Sequence, residues 1–339
     1  MRASRRRRIT SADVAHEAGV SRATVSYVLN DTPHQTIPEA TRLRVLGAAA
    51  RLGYTPSAAA TALRRGRSDV VLGLLPDWPV GYAVGRVLQE VTTAFARHQL
   101  TFVVHPDSRS TRPLTEIWKT ITPVAVLAFD VISAEDAAAM RAAGVEVVVA
   151  LHASTDQQAA ERQSGELLQP ENPVGALQAR HLAGSHRRLG FAYPDDHRVA
   201  VFADPRLQGV REVCAELGLP EPDVRTVPLR PDGAAAAVGS WLAAEPPVTG
   251  ICAFNDELAM AVLAGARRLG LHVPDDIAVV GVDDVPAAAV ADPPLTTVVQ
   301  DFTAIAEHHV GSVVAALAGQ AIPGAPIKSE YRLEIRESS

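Results

Sequence analysis

Cysteine is scarce in this chain of 339 residues, with only Cys214 and Cys252. Two cysteines exclude a disulfide framework and a cysteine-based metal site, and they suit buried thiols in a reducing compartment. No apolar run approaches the ~18 residues of a membrane helix. The basic N-terminus is not followed by the apolar stretch of ~7–15 residues that a secretory signal requires. We therefore expect a cytoplasmic protein without a membrane segment.

Motifs that carry common enzyme chemistry are also missing. The sequence has no Walker loop, no GxGxxG and no GxSxG. His308 and His309 are adjacent in a predicted helix, where neighbouring residues face different directions, so joint metal binding is not expected. These absences predict a protein that is not an enzyme and that has no cofactor and no metal site.

Lysine is absent from the first 67 residues, yet this segment is strongly basic. It holds 12 arginines, including the run Arg5–Arg8, against 4 acidic residues, a net charge of +8. The rest of the chain holds 20 basic and 34 acidic residues, a net charge of −14. A basic head on an acidic body indicates a polyanionic partner for the head alone. The alternative for the arginine run itself is a solvated, disordered arm.

The residues after the arginine run predict two short helices joined by a tight corner. Thr10 and Asp13 have the spacing of a capping box at a helix start. Gly19 supplies the conformational freedom that the corner needs. Ser21 is a favourable N-cap for a second helix over Arg22–Leu29. This combination is typical of a helix-turn-helix, whose second helix enters the major groove of DNA.

The outward face of the second predicted helix carries the candidate DNA contacts. Side chains expected at base edges are those of Arg22, Ala23 and Tyr27, and those expected to contact phosphates belong to Ser21, Thr24, Ser26 and Asn30. Phosphate contacts would fix the register, and base contacts would select the sequence. A third helix is predicted over Pro38–Leu52, with Gly53 as its end. The alternative is a plain three-helix bundle with an exposed polar helix, but the segregated charge favours DNA.

The stretches ITSADVAHEAGVSRATVSYVLN and RVLGAAARLGYTPSAAATALRRGRS resemble the head and hinge of the lactose/galactose repressor (LacI/GalR) family. The resemblance implies a helix-turn-helix, a hinge helix that forms on operator DNA, and a ligand-binding core similar to periplasmic sugar-binding proteins. It further implies that Tyr54–Leu63 is the hinge and that Leu63 is a minor-groove wedge, which would kink the duplex at a base step. The hinge residues expected to contact DNA are Tyr54, Pro56, Ala60 and Leu63.

Two positions depart from the pattern of that family. Ser57 replaces the asparagine that is common after the hinge proline. Tyr27 stands where many members carry an arginine that contacts guanine. Because a tyrosine cannot form the two-bonded pair with guanine, the operator half-site is expected to differ from the usual one.

From Val70 onward, short apolar runs alternate with helical segments. The first series is VVLGLL, LTFVV, VAVLAF and VEVVVAL, and the second is RLGFAY, GICAF and IAVVGV, with a helix predicted over Pro205–Leu217. Apolar runs separated by helices are typical of parallel sheets covered on both faces. The expected fold class is therefore an all-α helix-turn-helix domain followed by an α/β, periplasmic-binding-protein-like core of two lobes, each with a doubly wound parallel sheet.

In doubly wound sheets, ligands lie beyond the carboxyl ends of the strands. The polar or aromatic residues that directly follow predicted strands are Asp77, Trp78, Asp130, Asn255, Asp256, Asp283 and Asp284. Carboxylates, an amide and an indole around one cleft suit a polyhydroxylated ligand, whose hydroxyls are hydrogen-bonded and whose ring face is stacked.

The family resemblance extends over Ala253–Phe302 and the segment FADPRLQGVR. It implies that Arg206, Asn255 and Asp283 contact the effector and that Phe302 lines the cleft. Other roles remain open, because Asp283 could cap the loop after it and Asn255 could be the N-cap of the following helix. These roles do not exclude ligand contact. Trp118 and Trp241 lie in helical patterns and are expected in the core.

The expected domains are a helix-turn-helix domain over residues 1–53, a hinge and linker over 54–68, and a ligand-binding core over 69–339. Within the core, the first lobe is expected over 69–171 and 301–321, and the second lobe over 174–297 and 326–339. The chain would therefore cross between the lobes three times, near 171–173, 294–300 and 321–326. A three-stranded hinge suits a ligand-driven switch. The sequence ends without a heptad tail, so a homodimer is expected.

The sequence therefore predicts a ligand-responsive, DNA-binding transcriptional regulator. We expect a repressor that binds a near-palindromic operator in double-stranded DNA as a dimer, with a small sugar-like effector in the cleft of the core. The alternative is a solute-binding protein or a sugar-modifying enzyme that shares the core. The basic head and the missing export signal disfavour that alternative.

Overall fold

The computed structural model describes residues 9–29, 36–55, 68–106, 114–151, 172–321 and 331–339. The chain divides into two compact units, the first ending at Asp69 and the second beginning at Val70. Four expected DNA contacts, Asn30, Pro56, Ala60 and Leu63, lie outside the described residues, as do parts of the expected crossings near 171–173 and 321–326.

The first unit contains three helices, α1 (Ser11–Ala18), α2 (Arg22–Leu29) and α3 (Glu39–Leu52). They confirm the predicted helices, except that α3 begins at Glu39 because Pro38 occupies the N-cap position. Apolar residues of all three helices share one core, formed by Val14, Ala15, Ala18, Val25, Val28, Val45, Ala48 and Ala49. Gly19 and Gly53 end α1 and α3 with φ near +60°, a conformation that glycine adopts at little cost.

The first sheet of the second unit is parallel and has the strand order β2-β1-β3-β4. Its elements are β1 (Val70–Leu75), α4 (Tyr82–Arg97), β2 (Thr101–Pro106), α5 (Leu114–Ile121), β3 (Ala125–Ala128), α6 (Ala134–Ala142) and β4 (Val147–Ala150). Strands β1 and β3 are almost entirely buried, as expected for strands covered on both faces. This part of the chain is the first lobe.

The second sheet has the strand order β10-β9-β8-β7-β5-β6, and only β10 runs antiparallel to its neighbour. Its elements are α7 (Asn172–Ala183), β5 (Leu189–Pro194), α8 (Ala200–Glu216), β6 (Asp223–Val227), α9 (Pro231–Leu242), β7 (Gly250–Ala253), α10 (Asp256–Arg268), β8 (Ala278–Val282), β9 (Thr296–Val299) and β10 (Arg332–Glu334). This part of the chain is the second lobe.

One helix returns from the second lobe to the first. Helix α11 (Phe302–Leu317) follows β9 of the second sheet, but its buried residues Ala306, Val310 and Val313 belong to the core cluster of the first lobe. Trp118 and Trp241 are fully buried in the cores of the two lobes, which confirms their expected role.

Helix α8 begins earlier than predicted. A short 3₁₀ turn, His197–Val199, precedes it, and the carboxylate of Asp196 accepts a hydrogen bond from the Arg198 amide at 3.0 Å. The helix then runs from Ala200, so Pro205 lies inside it rather than at its start. Residues before the proline are consequently helical and take part in the site described below.

Gly175 in α7 marks the closest approach of α7 to α8. A Cβ atom at this position would lie 1.8 Å from the carbonyl oxygen of Arg206. The two helix backbones therefore meet without a side chain between them, and this contact sets the position of the helix segment that carries Arg206.

We predict that Gly175→Ala lowers the free energy of unfolding by about 1–3 kcal/mol, because the methyl group forces the helices apart. Urea denaturation measures the change. Gly85→Ala in α4 is the matched control, since a Cβ there meets no atom within 4 Å and the substitution should stabilise the helix by about 0.5–1 kcal/mol. Equal effects of the two substitutions would contradict the close approach.

Candidate functional site

The corner between α1 and α2 is formed by local hydrogen bonds. The Asp13 carboxylate accepts from the Thr10 amide at 2.8 Å and from the Thr10 hydroxyl at 2.7 Å, which fixes the start of α1. The amide of Val20 donates to the Ala15 carbonyl at 3.0 Å after the left-handed Gly19. These bonds set the direction in which α2 leaves the corner.

The outward face of α2 is polar and accessible. Arg22 and Ala23 are exposed, and Ser26 and Tyr27 are half-buried. The Ser21 hydroxyl accepts from the Thr24 amide at 3.1 Å, which confirms its predicted role as N-cap. The hydroxyls of these two residues are also 2.9 Å apart. Each hydroxyl retains capacity for a further partner, so capping leaves both available to a phosphate.

Tyr54, expected to contact DNA from the hinge, lies against the head's own core. Its half-buried side chain packs on the cluster of α1, α2 and α3, and its amide donates to the Ala49 carbonyl at 2.9 Å. The structure therefore gives this residue a packing role at the end of α3.

Five of the seven residues expected at the effector site follow the carboxyl ends of β1, β3, β7 and β8, whereas Arg206 lies in α8 and Phe302 begins α11. Asp77 and Trp78 come after β1, Asp130 after β3, Asn255 after β7 and Asp283 directly after β8. They belong to both lobes, so they do not share a single sheet edge. The contacts described below show which of them the fold brings together.

Arg206 and Asp283 form a buried pair at the carboxyl edge of the second sheet. Their side chains are 5% and 6% exposed, and Nη2 of Arg206 lies 4.0 Å from Oδ1 of Asp283. The guanidinium also donates to the Phe254 carbonyl at 2.7 Å and lies 4.9 Å from the centre of the Phe254 ring. Gln300 donates to the same carboxylate oxygen at 2.6 Å. Burial raises the pKa of Asp283, and Arg206 and Gln300 oppose that shift.

An unusual backbone turn presents Asp283 to Arg206. Asp283 and Asp284 have φ values of 102° and 49°, a region that residues with side chains rarely adopt. The Asp283 amide donates to the Val298 carbonyl of β9 at 2.9 Å. Arg336 donates to the Asp284 carboxylate at 2.6 Å and to the Leu295 carbonyl at 2.8 Å. Neighbouring elements therefore hold the turn on both sides.

Asp256 supports this turn from beneath. One oxygen of its fully buried carboxylate accepts from the Val285 amide at 2.8 Å, and the other accepts from the Thr297 hydroxyl at 2.6 Å. A Cβ on Gly281 would lie 2.1 Å from that second oxygen, so only glycine leaves room for the carboxylate. Burial raises the pKa of Asp256 to about 7, and the nearby charge of Asp283 acts in the same direction.

Asn255 and Asp130 make local contacts. The side-chain oxygen of Asn255 accepts a hydrogen bond from the Leu258 amide at 3.0 Å, so the alternative role of Asn255 as N-cap of α10 is observed. The Asp130 carboxylate accepts from the next amide, that of Val131, at 2.7 Å. Asp130 is half-buried, and the hydrogen bond turns its carboxylate back along its own loop.

Asp77, Trp78 and Phe302 lie where the two lobes face each other. Asp77 is 3.3 Å from Nη1 of Arg198, and the Trp78 ring is 4.8 Å from the Phe202 ring, edge to face. Phe302 is buried, and its ring centre lies 6.4 Å from that of Tyr82. These contacts join the loop after β1 to the segment between β5 and β6, and the start of α4 to the start of α11.

Several residues at this site were not recognised from the sequence as part of it. They are Tyr82, Gln178, Arg198, Phe202, Phe254 and Gln300. Gln178 is fully buried and donates to the carbonyls of Ala253, Val280 and Gly281, which ties α7 to the ends of β7 and β8. Phe202 had a signal, since it precedes Arg206 by one helical turn.

In the ranges that the structure covers, no three His, Cys, Asp or Glu side chains are arranged to hold a metal ion. Among the helices described, none has the length and apolar character to cross a bilayer. The site consists of one buried ion pair, hydrogen-bonding side chains and aromatic rings.

Known families and relatives match both units. Residues 10–57 match the model for bacterial regulatory proteins of the lacI family, and residues 179–339 match a periplasmic binding protein-like domain. An uncharacterized HTH-type transcriptional regulator in the aml 5′ region of Streptomyces limosus is 31% identical over 344 residues, which cover 97% of this chain and 93% of that protein. The chain belongs to the lacI family of bacterial regulatory proteins. It is a helix-turn-helix transcriptional regulator rather than an enzyme.

Solved structures share the lacI-family architecture over nearly the whole chain. The Lac repressor dimer bound to operator and the anti-inducer ONPF has a TM-score of 0.80 at 23% identity, covering 98% of this chain and 99% of that one. A complex of the transcriptional regulator CelR with cellobiose has a TM-score of 0.63 at 25% identity, covering 98% and 100%. The predicted fold class, a helix-turn-helix followed by a two-lobed α/β core, is therefore confirmed.

We predict that Asp256→Asn removes part of the pH dependence of stability. Because burial raises the pKa of Asp256 to about 7, the folded protein binds this proton more tightly than the unfolded chain. The free energy of unfolding therefore falls as the pH rises from about 4 to 7 and levels off above 7. Asparagine does not titrate: its oxygen can still accept from the Val285 amide, and its NH2 group would donate to the Thr297 hydroxyl, which now accepts. The wild type should therefore lose roughly 2–3 kcal/mol more than the variant between pH 5 and pH 8.

Urea denaturation at the two pH values measures this difference. Glu257→Gln, which removes an exposed carboxylate at the next position, controls for the loss of one negative charge. Parallel pH curves for the wild type and Asp256→Asn would contradict the raised pKa.

Proposed function

We propose that this lacI-family regulator is a repressor that binds a near-palindromic operator as a homodimer and that responds to a sugar-like effector. It acts in the cytoplasm, where bacterial DNA is accessible. The outward face of α2 contacts the major groove, and the hinge segment Tyr54–Leu63 contacts the minor groove. The net charge of +8 on the first 67 residues supports binding to a polyanion. The described Lac repressor structure, a dimer on operator, supports the same arrangement.

The pair of Arg206 and Asp283 is the observation on which the effector proposal rests. A buried, charged pair at the carboxyl edge of the second lobe's sheet offers a donor and an acceptor to ligand hydroxyls. Aromatic rings stand near the pair or at the lobe junction, belonging to Trp78, Tyr82, Phe202, Phe254 and Phe302. Such rings stack on the apolar face of a sugar. The similar CelR structure holds cellobiose, which supports a sugar ligand.

The remaining expected effector contacts fit the proposal in different degrees. Asn255 uses its carbonyl oxygen as N-cap but retains two amide hydrogens that can donate to a ligand. Asp77 and Trp78 face the second lobe and would meet a ligand from the opposite side. Asp130 is the weakest candidate, because its carboxylate bonds to its own loop.

Effector binding would change DNA affinity by altering how the two lobes close. A hinge between lobes is a bistable element that a ligand in the cleft biases directly. A coupling free energy of about 1–3 kcal/mol is typical of such linked sites. That corresponds to a change of roughly 5- to 150-fold in operator affinity.

We predict that Tyr27→Arg changes operator preference at one symmetric position of each half-site. Selection of bound duplexes from random DNA should yield a near-palindrome for the wild type without a required guanine at that position. The variant should gain a guanine there, because an arginine donates two hydrogen bonds to that base, with discrimination of about 1–3 kcal/mol. Arg211→Ala, which removes an exposed arginine of α8 paired with Glu221, should leave the selected sequence unchanged. Identical sequences from wild type and Tyr27→Arg would remove Tyr27 from the base-contacting face.

We also predict that Arg206→Ala abolishes the response to effector and leaves operator affinity nearly intact, because the residue lies in the core and not in the head. The measurement is operator affinity of the purified protein with and without each sugar of a panel that includes cellobiose and maltose. Arg211→Ala on the same helix should respond like the wild type. A sugar response that survives in Arg206→Ala would exclude this arginine from the effector site.

A further inference from the structure

Three residues of α8 and of the 3₁₀ turn before it lie on one side of this segment and contact residues of the cleft. Arg198, Phe202 and Arg206 are spaced by four residues, which places neighbours in helical segments on the same side. Arg198 contacts Asp77, Phe202 contacts Trp78, and Arg206 contacts Asp283. The exposure of the two arginine side chains falls along this row, from 38% for Arg198 to 5% for Arg206. The row therefore runs from the cleft mouth to its buried floor.

The loop after β1 meets the outer part of this row. Its backbone is tightly turned, since the Trp78 amide donates to the Pro76 carbonyl at 2.6 Å and the Gly81 amide to the Pro79 carbonyl at 2.9 Å. The Trp78 ring packs against the core of the first lobe, whereas Phe202 packs against the core of the second. The ring pair thus joins one lobe core directly to the other.

We propose that Asp77 and Trp78 form a gate that closes on Arg198 and Phe202 and covers the buried pair of Arg206 and Asp283. The effector reaches the pair only when the gate opens, so these four residues set how readily the cleft exchanges ligand. This inference rests on the proposed function, because it concerns access to the same effector site.

The two contacts of the gate differ in strength. The ion pair of Asp77 with Arg198 is weak, because Asp77 is 78% exposed and Arg198 also binds Asp196 through two nitrogens. An edge-to-face aromatic pair changes a two-state equilibrium roughly two- to twelvefold. The rings of Trp78 and Phe202 therefore provide most of the closing contact, and the ion pair orients the loop.

The experiment measures the distance between the lobes without ligand and without DNA. Spin labels are attached at Thr93→Cys in α4 and Gln208→Cys in α8, two exposed positions in different lobes. The native Cys214 and Cys252 are buried and do not compete for the label. Pulsed electron paramagnetic resonance of the full chain then gives the ratio of open to closed molecules.

Phe202→Ala should raise the open-to-closed ratio roughly two- to twelvefold. Phe202→Leu, which keeps an apolar side chain without a ring, should give a smaller increase, and Asp77→Asn the smallest. Arg211→Ala on the outer side of α8 should leave the distance distribution of the wild type unchanged. The graded series separates a gate from a local packing defect, since Asp77→Asn removes no packed ring.

The gate is overturned if Phe202→Ala and Phe202→Leu both give the wild-type distance distribution, or if Arg211→Ala raises the open-to-closed ratio as much as they do. Operator binding by the same samples tests the proposed function separately. If the wild-type protein binds no duplex, the proposed repressor function is wrong. The distance measurements then still show whether the gate exists. Protein that binds operator but shows no change in distance defeats the gate alone.

Discussion

The left-handed backbone at Asp283 is the constraint on which the core site depends. With φ at 102°, this residue turns its carboxylate toward Arg206 directly after β8 ends, instead of continuing the strand. The conformation is strained for a residue with a side chain, so it persists only because the surrounding structure holds it. Asp256 binds the turn from below and Arg336 binds it from outside.

A buried charged pair is a costly element for stability, and this cost favours a functional explanation. Desolvation of Arg206 and Asp283 offsets much of their attraction, and removing either partner would leave the other uncompensated. The fold supplies further bonds, from Gln300 to the carboxylate and from the guanidinium to the Phe254 carbonyl. Ligand hydroxyls can replace these protein partners at the guanidinium and at the carboxylate, because both groups already make polar contacts in the buried site.

Sequence patterns predicted elements well where burial alone decides them. VVLGLL became β1 without change, and Gly19 and Gly53 ended their helices as expected. The start of a helix and the role of a side chain were not predicted where they depend on residues distant in the sequence. A proline is normally expected in the first helical turn, so Pro205 suggested a helix start and concealed Phe202 in the preceding turn. The role of Asp256 depends on an amide and a hydroxyl from two other elements, which no local pattern reveals.

The proposed function requires that occupancy of the core cleft and DNA binding by the head are thermodynamically linked. The most direct test measures the affinity of the effector, by calorimetry, for free protein and for protein saturated with operator. Linkage requires the operator to change effector affinity by the same factor by which the effector changes operator affinity. We predict equal factors that differ clearly from one. Identical effector affinity with and without operator, for a sugar that does bind, would contradict this linkage.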